Sequence, residues 1–178
     1  MNVLDSLSRQ LARSLKKHNV EADLEVLEYG IGIKLNRYGV LILTSILGIL
    51  LHQWVESLIA LISISVLRRF SGGVHFRSLT HCMLVTSLTC TLIPMISLPK
   101  GTLMLLASIS FVITGLRAPN WFEEFTVIKP RMTYKLVSLM IVSLSFFVQS
   151  SILIIAFFIQ TLTLLPLKGG HYDEETCR

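Results

Sequence analysis

Long apolar runs, separated by short polar segments rich in Lys and Arg, dominate this chain. The first seventeen residues are the exception. Leu7, Leu11 and Leu15 recur at every fourth position, Val3 and Leu4 extend the stripe, and Arg9, Arg13, Lys16 and Lys17 lie on the other sides. This spacing predicts an amphipathic helix over residues 2–17. Its apolar ridge and basic flank suit either the headgroup layer of a bilayer or packing on the protein's own loops. Asn19 is placed to cap a second helix, with Glu21 and Asp23 in its first turn, where negative charge suits the helix dipole. Leu24, Leu27, Ile31 and Leu35 continue a helical stripe. Gly30 and Gly32 predict a bend toward the membrane, and Lys34 and Arg37 close the segment.

From Tyr38 to Leu67 the chain is apolar, interrupted by HQWVES at residues 52–57. A single span needs only ~20 residues. His52, Gln53 and Glu56 would be costly at mid-bilayer. The expectation is therefore a hairpin of two short segments, 38–52 and 54–68, with Trp54 at an interface. Each is short enough to thin the bilayer locally or to re-enter. Further segments are expected at 82–98, ending at Pro94 and Pro99, and at 101–116, 136–149 and 151–166. The fold class that follows is all-α: a polytopic integral membrane protein with about six transmembrane or re-entrant helices plus N-terminal amphipathic helices. It forms one membrane domain over residues 1–178. Residues 1–37 form a cytoplasmic region. Residues 38–167 are embedded, with cytoplasmic loops at 68–81 and 117–135, and residues 168–178 are a cytoplasmic tail.

Composition strengthens this picture. Of 178 residues, 52% are hydrophobic and 15% charged, where a soluble domain carries about a quarter charged. The net charge of +5 is spread in clusters between apolar runs, which is how topology is written and is no nucleic-acid signal. With six segments, 15 of the 16 Lys and Arg residues fall on one face, leaving Lys100 alone opposite. The positive-inside rule places that basic face in the cytoplasm. A re-entrant hairpin would give the same count. The N-terminus lacks the continuous apolar run and the small-residue cleavage site of a signal peptide, so the internal segments are expected to carry the chain to the membrane. Three cysteines, Cys82, Cys90 and Cys177, have neither disulfide-framework nor CxxC spacing. No cofactor or metal is expected.

The candidate chemistry lies between Arg68 and Cys90, in RRFSGGVHFRSLTHCMLVTSLTC. His75 and Cys82 are seven residues apart. On one straight helix they would share a face but stand ~10.5 Å apart along the axis. A working thiol–imidazole pair therefore requires a break, which Gly72-Gly73 can supply. A cysteine at a helix start, near Arg68, Arg69 and His75, would have its thiolate favoured and could form a thioester with a peptide carbonyl. Taken alone, this signal is modest, because a cysteine in a membrane segment is more often a small buried apolar residue. His81 points about 100° away from Cys82 and reads as an interfacial residue. Cys90 and the seryls Ser143, Ser145, Ser150 and Ser151 read as packing residues, and Cys177 as incidental. Glu123 and Glu124 read as a solvated loop face rather than a third catalytic member. A metal set of His75, His81 and Cys82 lacks a fourth ligand.

RRFSGGVHFRSLTHC resembles the signature of the accessory gene regulator B family, the membrane peptidases of bacterial quorum-sensing operons. Arg68-Arg69, Gly73, His75 and Cys82 fill that pattern. LRAPNWFEEFTVIKP is similar to the family's Ala-Pro…Lys-Pro loop, though longer and richer in aromatics and acids, and TLTLLPLKGG to its final segment. The resemblance implies a cysteine endopeptidase, with Cys82 as nucleophile, His75 as general base, and Arg68 and Gly73 supporting the site. The implied substrate is a short precursor peptide with an amphipathic leader and an acidic tail. The tail is removed and the remainder, held as a thioester, closes to a thiolactone or lactone. The lipid bilayer is a partner, nucleic acid is not, and a homodimer is the family's pattern. The substrate-binding residues, the ring size and the precursor's identity stay open. The rival reading is a non-catalytic membrane peptide transporter or receptor, which would need intramembrane polar or charged residues along a pathway, and the third to sixth segments carry almost none. A metallopeptidase would need an HExxH or a paired-acid motif, which the chain lacks.

Overall fold

In the computed structural model the described residues are 3–16, 23–73, 78–119 and 131–165. Among them the chain forms α1 (Val3–Lys16), α2 (Leu24–Leu50), α3 (Trp54–Ser71), α4 (Leu79–Leu92) with a 3-10 turn Ile93–Met95, α5 (Lys100–Arg117), α6 (Arg131–Val148) and α7 (Ser151–Leu162). The all-helical expectation holds for these residues. Two compact units divide the chain. One comprises residues 1–61 and 75–96, the other residues 62–74 and 97–178.

In the first unit α2 differs from expectation. Asp23 takes the N-cap position in extended conformation, and the helix then runs unbroken for 27 residues to Leu50. The helix carries through Gly30 and Gly32 without a break, and Asn19 lies outside the described residues. Gly32 instead marks a close approach between helices. A Cβ there would fall 2.8 Å from Leu79 Cδ1 and 3.8 Å from Ser8 Cβ. The expected leucine stripe of α2 is only half-buried, and the seam runs through smaller residues, with Gly32, Val40, Thr44 and Gly48 buried. Against this seam α4 packs in parallel. Gly32 faces Leu79, Gly39 faces Met83, and Ser87 Oγ donates to the Val40 carbonyl at 3.4 Å. Small residues allow such approach, as in membrane helix pairs generally.

Helix α1 packs on α2 and α4 through Ser8 and Ala12, which are 2% and 0% exposed. The Leu4 N–H donates to Thr80 Oγ1, and Arg9 pairs with Glu28 at 2.6 Å. The predicted leucine ridge is left outward, with Leu7, Leu11 and Leu15 41%, 40% and 48% exposed. The described helices therefore leave this ridge uncovered.

The hairpin break at HQWVES is present. The Gln53 N–H donates to Gly48 O at 2.8 Å and the His52 N–H to Ile49 O at 3.1 Å, with His52 at φ 56. This is a Schellman ending, in which the left-handed residue satisfies the last carbonyls of α2. Gly48 lets α3 start directly against α2, since a Cβ there would lie 3.1 Å from Trp54 Cα.

The second unit holds residues 62–71 of α3 with α5, α6 and α7. Leu67, Val142 and Phe157 form its apolar centre, flanked by Ile141 and Leu153. Phe111 and Phe146 meet edge-to-face at 6.3 Å, and Phe70 lies 6.4 Å from Tyr134. Ser110, Ser138, Ser145 and Thr161 are buried, and each hydroxyl donates to a carbonyl of its own helix, at 2.6–2.8 Å. Such self-satisfied hydroxyls let helices pack closely without orphaned polar groups.

Two described helices, α2 and α5, are long and apolar enough to cross a bilayer. The other four of the six expected segments fall short of that test. Helix α4 stops where Pro94 interrupts it, and α6 and α7 are divided at Gln149, which takes φ 49. Helix α7 has 12 residues, about 18 Å at 1.5 Å each, against a hydrocarbon core ~30 Å thick.

Candidate functional site around Cys82

The segment around Cys82 is built from a helix stop and a helix start. Helix α3 ends at Ser71, with Arg68 and Arg69 in its last turn. Gly72 and Gly73 then adopt φ 75 and φ 140, which residues with a Cβ rarely take. The chain restarts at Ser78, whose extended backbone and side-chain oxygen cap α4. Its Oγ accepts from the His81 N–H at 3.4 Å, and its carbonyl accepts from the Cys82 N–H at 3.0 Å. Helix α3 thus ends at Ser71 and α4 begins afresh at Leu79, three residues before Cys82. His75 itself, with Arg77, lies outside the described residues.

The turn at Gly72-Gly73 is held from α7. Gln160, 1% exposed, donates from Nε2 to the Gly72 carbonyl at 3.0 Å. A Cβ on Gly73 would fall 2.7 Å from Thr163 Oγ1 and 3.2 Å from Gln160 Nε2. Gly73 thus meets two constraints at once, a left-handed φ and no room for a side chain. The sequence singled out Gly73 through a motif. The partner in α7 could not be read, because it lies 88 residues away from Gly72.

Cys82 occupies the first turn of α4. It is a free thiol and 4% exposed. His81 beside it is exposed, as its angular offset predicts. Cys90 is a free thiol at 0% exposure in the same helix, and Cys177 lies outside the described residues. One neighbour of Cys82 escaped the sequence reading. Asn36 Nδ2 donates to Cys82 Sγ at 3.9 Å, across 46 residues of sequence. Its Oδ1 is buried and has no hydrogen-bond partner among the described residues. An unsatisfied buried carbonyl of this kind costs about 1–3 kcal/mol. The available signal was its register: Asn36 stands four residues after Gly32 and four before Val40, on the seam of α2.

In the second unit, Leu116, Arg117, Ala118, Pro119, Met132 and Lys135 line an open cleft. It holds the first part of the Ala-Pro segment. The remainder of that loop, including Glu123, Glu124 and Lys129, lies outside the described residues.

Apolar helices with small-residue seams, a surface helix with an outward leucine ridge and a buried thiol at a helix start define a helical, membrane-associated class of protein. Comparison narrows it. The family model for Accessory gene regulator B matches residues 7–166, and the chain belongs to that family. A protein of Lactiplantibacillus plantarum named "Putative AgrB-like protein" is 28% identical over 184 residues, covering 96% of this chain and 91% of the relative. No solved structure matches the chain. Membership places the protein in the accessory gene regulator system of quorum sensing, in a family of processing proteases.

Proposed function

We propose that this protein is a membrane-embedded cysteine endopeptidase that removes the C-terminal tail of a short quorum-sensing precursor and supports its closure to a thiolactone or lactone. Cys82 is the nucleophile, His75 the general base, and Arg68 and Gly73 support the site. The protein lies in the cytoplasmic membrane with about six transmembrane or re-entrant helices, and the site faces the cytoplasm, where a newly made precursor arrives. The observation that carries this reading is a buried free thiol in the first turn of α4, directly after a chain break at two positive-φ glycines. That break is the geometry a His75–Cys82 pair needs.

The reaction follows from these groups. His75 takes the Cys82 thiol proton, and the thiolate attacks the scissile carbonyl carbon. A C–S bond forms, the C–N bond breaks, and the proton passes from His75 to the departing amine. The precursor is then held as a thioester on Cys82. An internal Cys thiol or Ser hydroxyl of the precursor attacks that carbonyl, the C–S bond to Cys82 breaks, and the proton returns to Cys82. With an internal Cys, one thioester replaces another, so the exchange is near-neutral and needs no ATP. Water must be kept away from the acyl group, and burial of Cys82 at 4% exposure supports this. The cleft at Arg117 and Lys135 offers two cations to an acidic precursor tail.

The test is cleavage in proteoliposomes of a peptide with an amphipathic leader, a central Cys and an acidic tail. Cys82→Ser is expected to abolish cleavage, and His75→Ala to slow it ~10²–10⁴-fold, the usual worth of a general base. Cleavage at the wild-type rate by Cys82→Ser would sink the mechanism.

A further inference from the structure

We propose that Asn36 is a further catalytic residue of the Cys82 site. Its carboxamide N–H steadies the Cys82 thiolate and then the oxyanion of the tetrahedral intermediate. This rests on Cys82 being the nucleophile.

Three observations converge on Asn36. It sits on the packed seam of α2, in line with Gly32, Val40, Thr44 and Gly48, where a carboxamide is out of keeping with its small and apolar neighbours. Its Nδ2 points at Cys82 Sγ, 3.9 Å away. Its Oδ1 is buried without a partner among the described residues. As a structural residue Asn36 is poorly used: one end meets a neutral thiol, a weak acceptor, and the other meets nothing. Both become useful when the site works. A thiolate is a charged acceptor and draws the N–H into a shorter, stronger hydrogen bond. When Sγ bonds the scissile carbon, the carbonyl oxygen develops its negative charge within ~3 Å of the sulfur, where a preorganised donor is most effective. Rotation about the Cβ–Cγ bond of Asn36 carries Nδ2 from one to the other. The backbone N–H of Cys82 cannot take this role, because it donates to the Ser78 carbonyl at 3.0 Å inside α4. The unpartnered Oδ1 is left to accept an N–H of the bound peptide, a donor that the resting site lacks. No electrons are exchanged and no proton leaves Asn36.

The experiment uses the full chain in proteoliposomes, with Asn36→Leu, Asn36→Asp and Cys82→Ser beside wild type. Two rates are read: alkylation of Cys82 by iodoacetamide at pH 7, located by peptide mass mapping, and single-turnover cleavage of the precursor peptide. Asn36→Asp keeps the shape of the side chain, and once ionised it offers no donor. Alkylation is expected to slow about tenfold in both variants, because loss of the donor, or a like charge in its place, disfavours the thiolate. Cleavage is expected to fall about 10²–10³-fold, the usual loss on removing an oxyanion donor, with little change in KM. A merely structural role moves alkylation the other way, since loosening α2 from α4 exposes the thiol and speeds the reaction. Faster or unchanged alkylation in Asn36→Asp, or cleavage within a fewfold of wild type in either variant, overturns the proposal. If Cys82→Ser still cleaves, the peptidase reading fails instead, and the alkylation rates alone decide whether Asn36 serves the thiolate.

Discussion

At Gly73 the backbone takes φ 140 with Thr163 and Gln160 closed over the position. Gly73→Ala is expected to cost about 1–3 kcal/mol, from backbone strain alone, and to lower the thermal midpoint. An unchanged midpoint would mean that the turn is not held as described. Removing the partner is a second route to the same turn. Gln160→Leu leaves the Gly72 carbonyl only the Ser71 hydroxyl, 3.2 Å away, as a donor, and is expected to cost about 1 kcal/mol, the usual net worth of one hydrogen bond. Limited proteolysis of the 72–78 segment, faster in the variant than in wild type, is the readout. These two cases also show what a sequence discloses at this scale. Gly73 and Cys82 were legible because their motif is local. The Gln160–Gly72 and Asn36–Cys82 contacts were not, because each forms only after the chain has folded, across 88 and 46 residues respectively. His75 was named from the same motif as Cys82.

Between helices, the closest approaches fall at small residues rather than at the leucines that draw the eye in the sequence. The leucine stripe of α2 reads correctly as helical, but the seam runs beside it through Gly32, Val40, Thr44 and Gly48. A 27-residue helix exceeds what one apolar face needs, and of the two glycines expected to bend it, Gly32 is a point of close packing while Gly30 is open. The two classes of glycine separate by substitution. Gly30 has nothing within 4 Å of a built Cβ. Gly30→Ala is expected to stabilise the helix by about 0.5–1 kcal/mol, through lower entropy of the unfolded chain. A Cβ on Gly48 would lie 3.1 Å from Trp54 Cα and 3.2 Å from Ser57 Cβ. Gly48→Val is expected to cost about 1–3 kcal/mol by overpacking the α2–α3 turn. Thermal midpoints in detergent or lipid check both signs, and equal shifts for the two would contradict the packing described. Segment boundaries were largely legible, since HQWVES, Pro94 and the Gln149–Ser150 junction all interrupt apolar runs. Helix lengths were less so, because the ends are set by capping. Asp23 and Ser78 open their helices, and His52 closes one through a left-handed turn.

For the whole molecule, the account joins a membrane topology to a covalent mechanism. The topology predicts Lys100 on the outer face and the other basic segments inside. In a variant with its three cysteines replaced, Lys100→Cys should react with an impermeant maleimide on intact cells. Arg9→Cys and Lys135→Cys should react only after permeabilisation, and labelling of all three from outside would contradict the six-segment layout. The mechanism has a sharper test, because an acyl-enzyme can be weighed. Wild-type protein in proteoliposomes, mixed with precursor peptide and quenched in acid, should carry an added mass equal to the precursor without its C-terminal tail. The mass should map to Cys82, be released by hydroxylamine as a thioester is, and be absent from Cys82→Ala. Cleavage of the precursor by Cys82→Ala, or an adduct mapping to Cys90 or Cys177, would contradict the account.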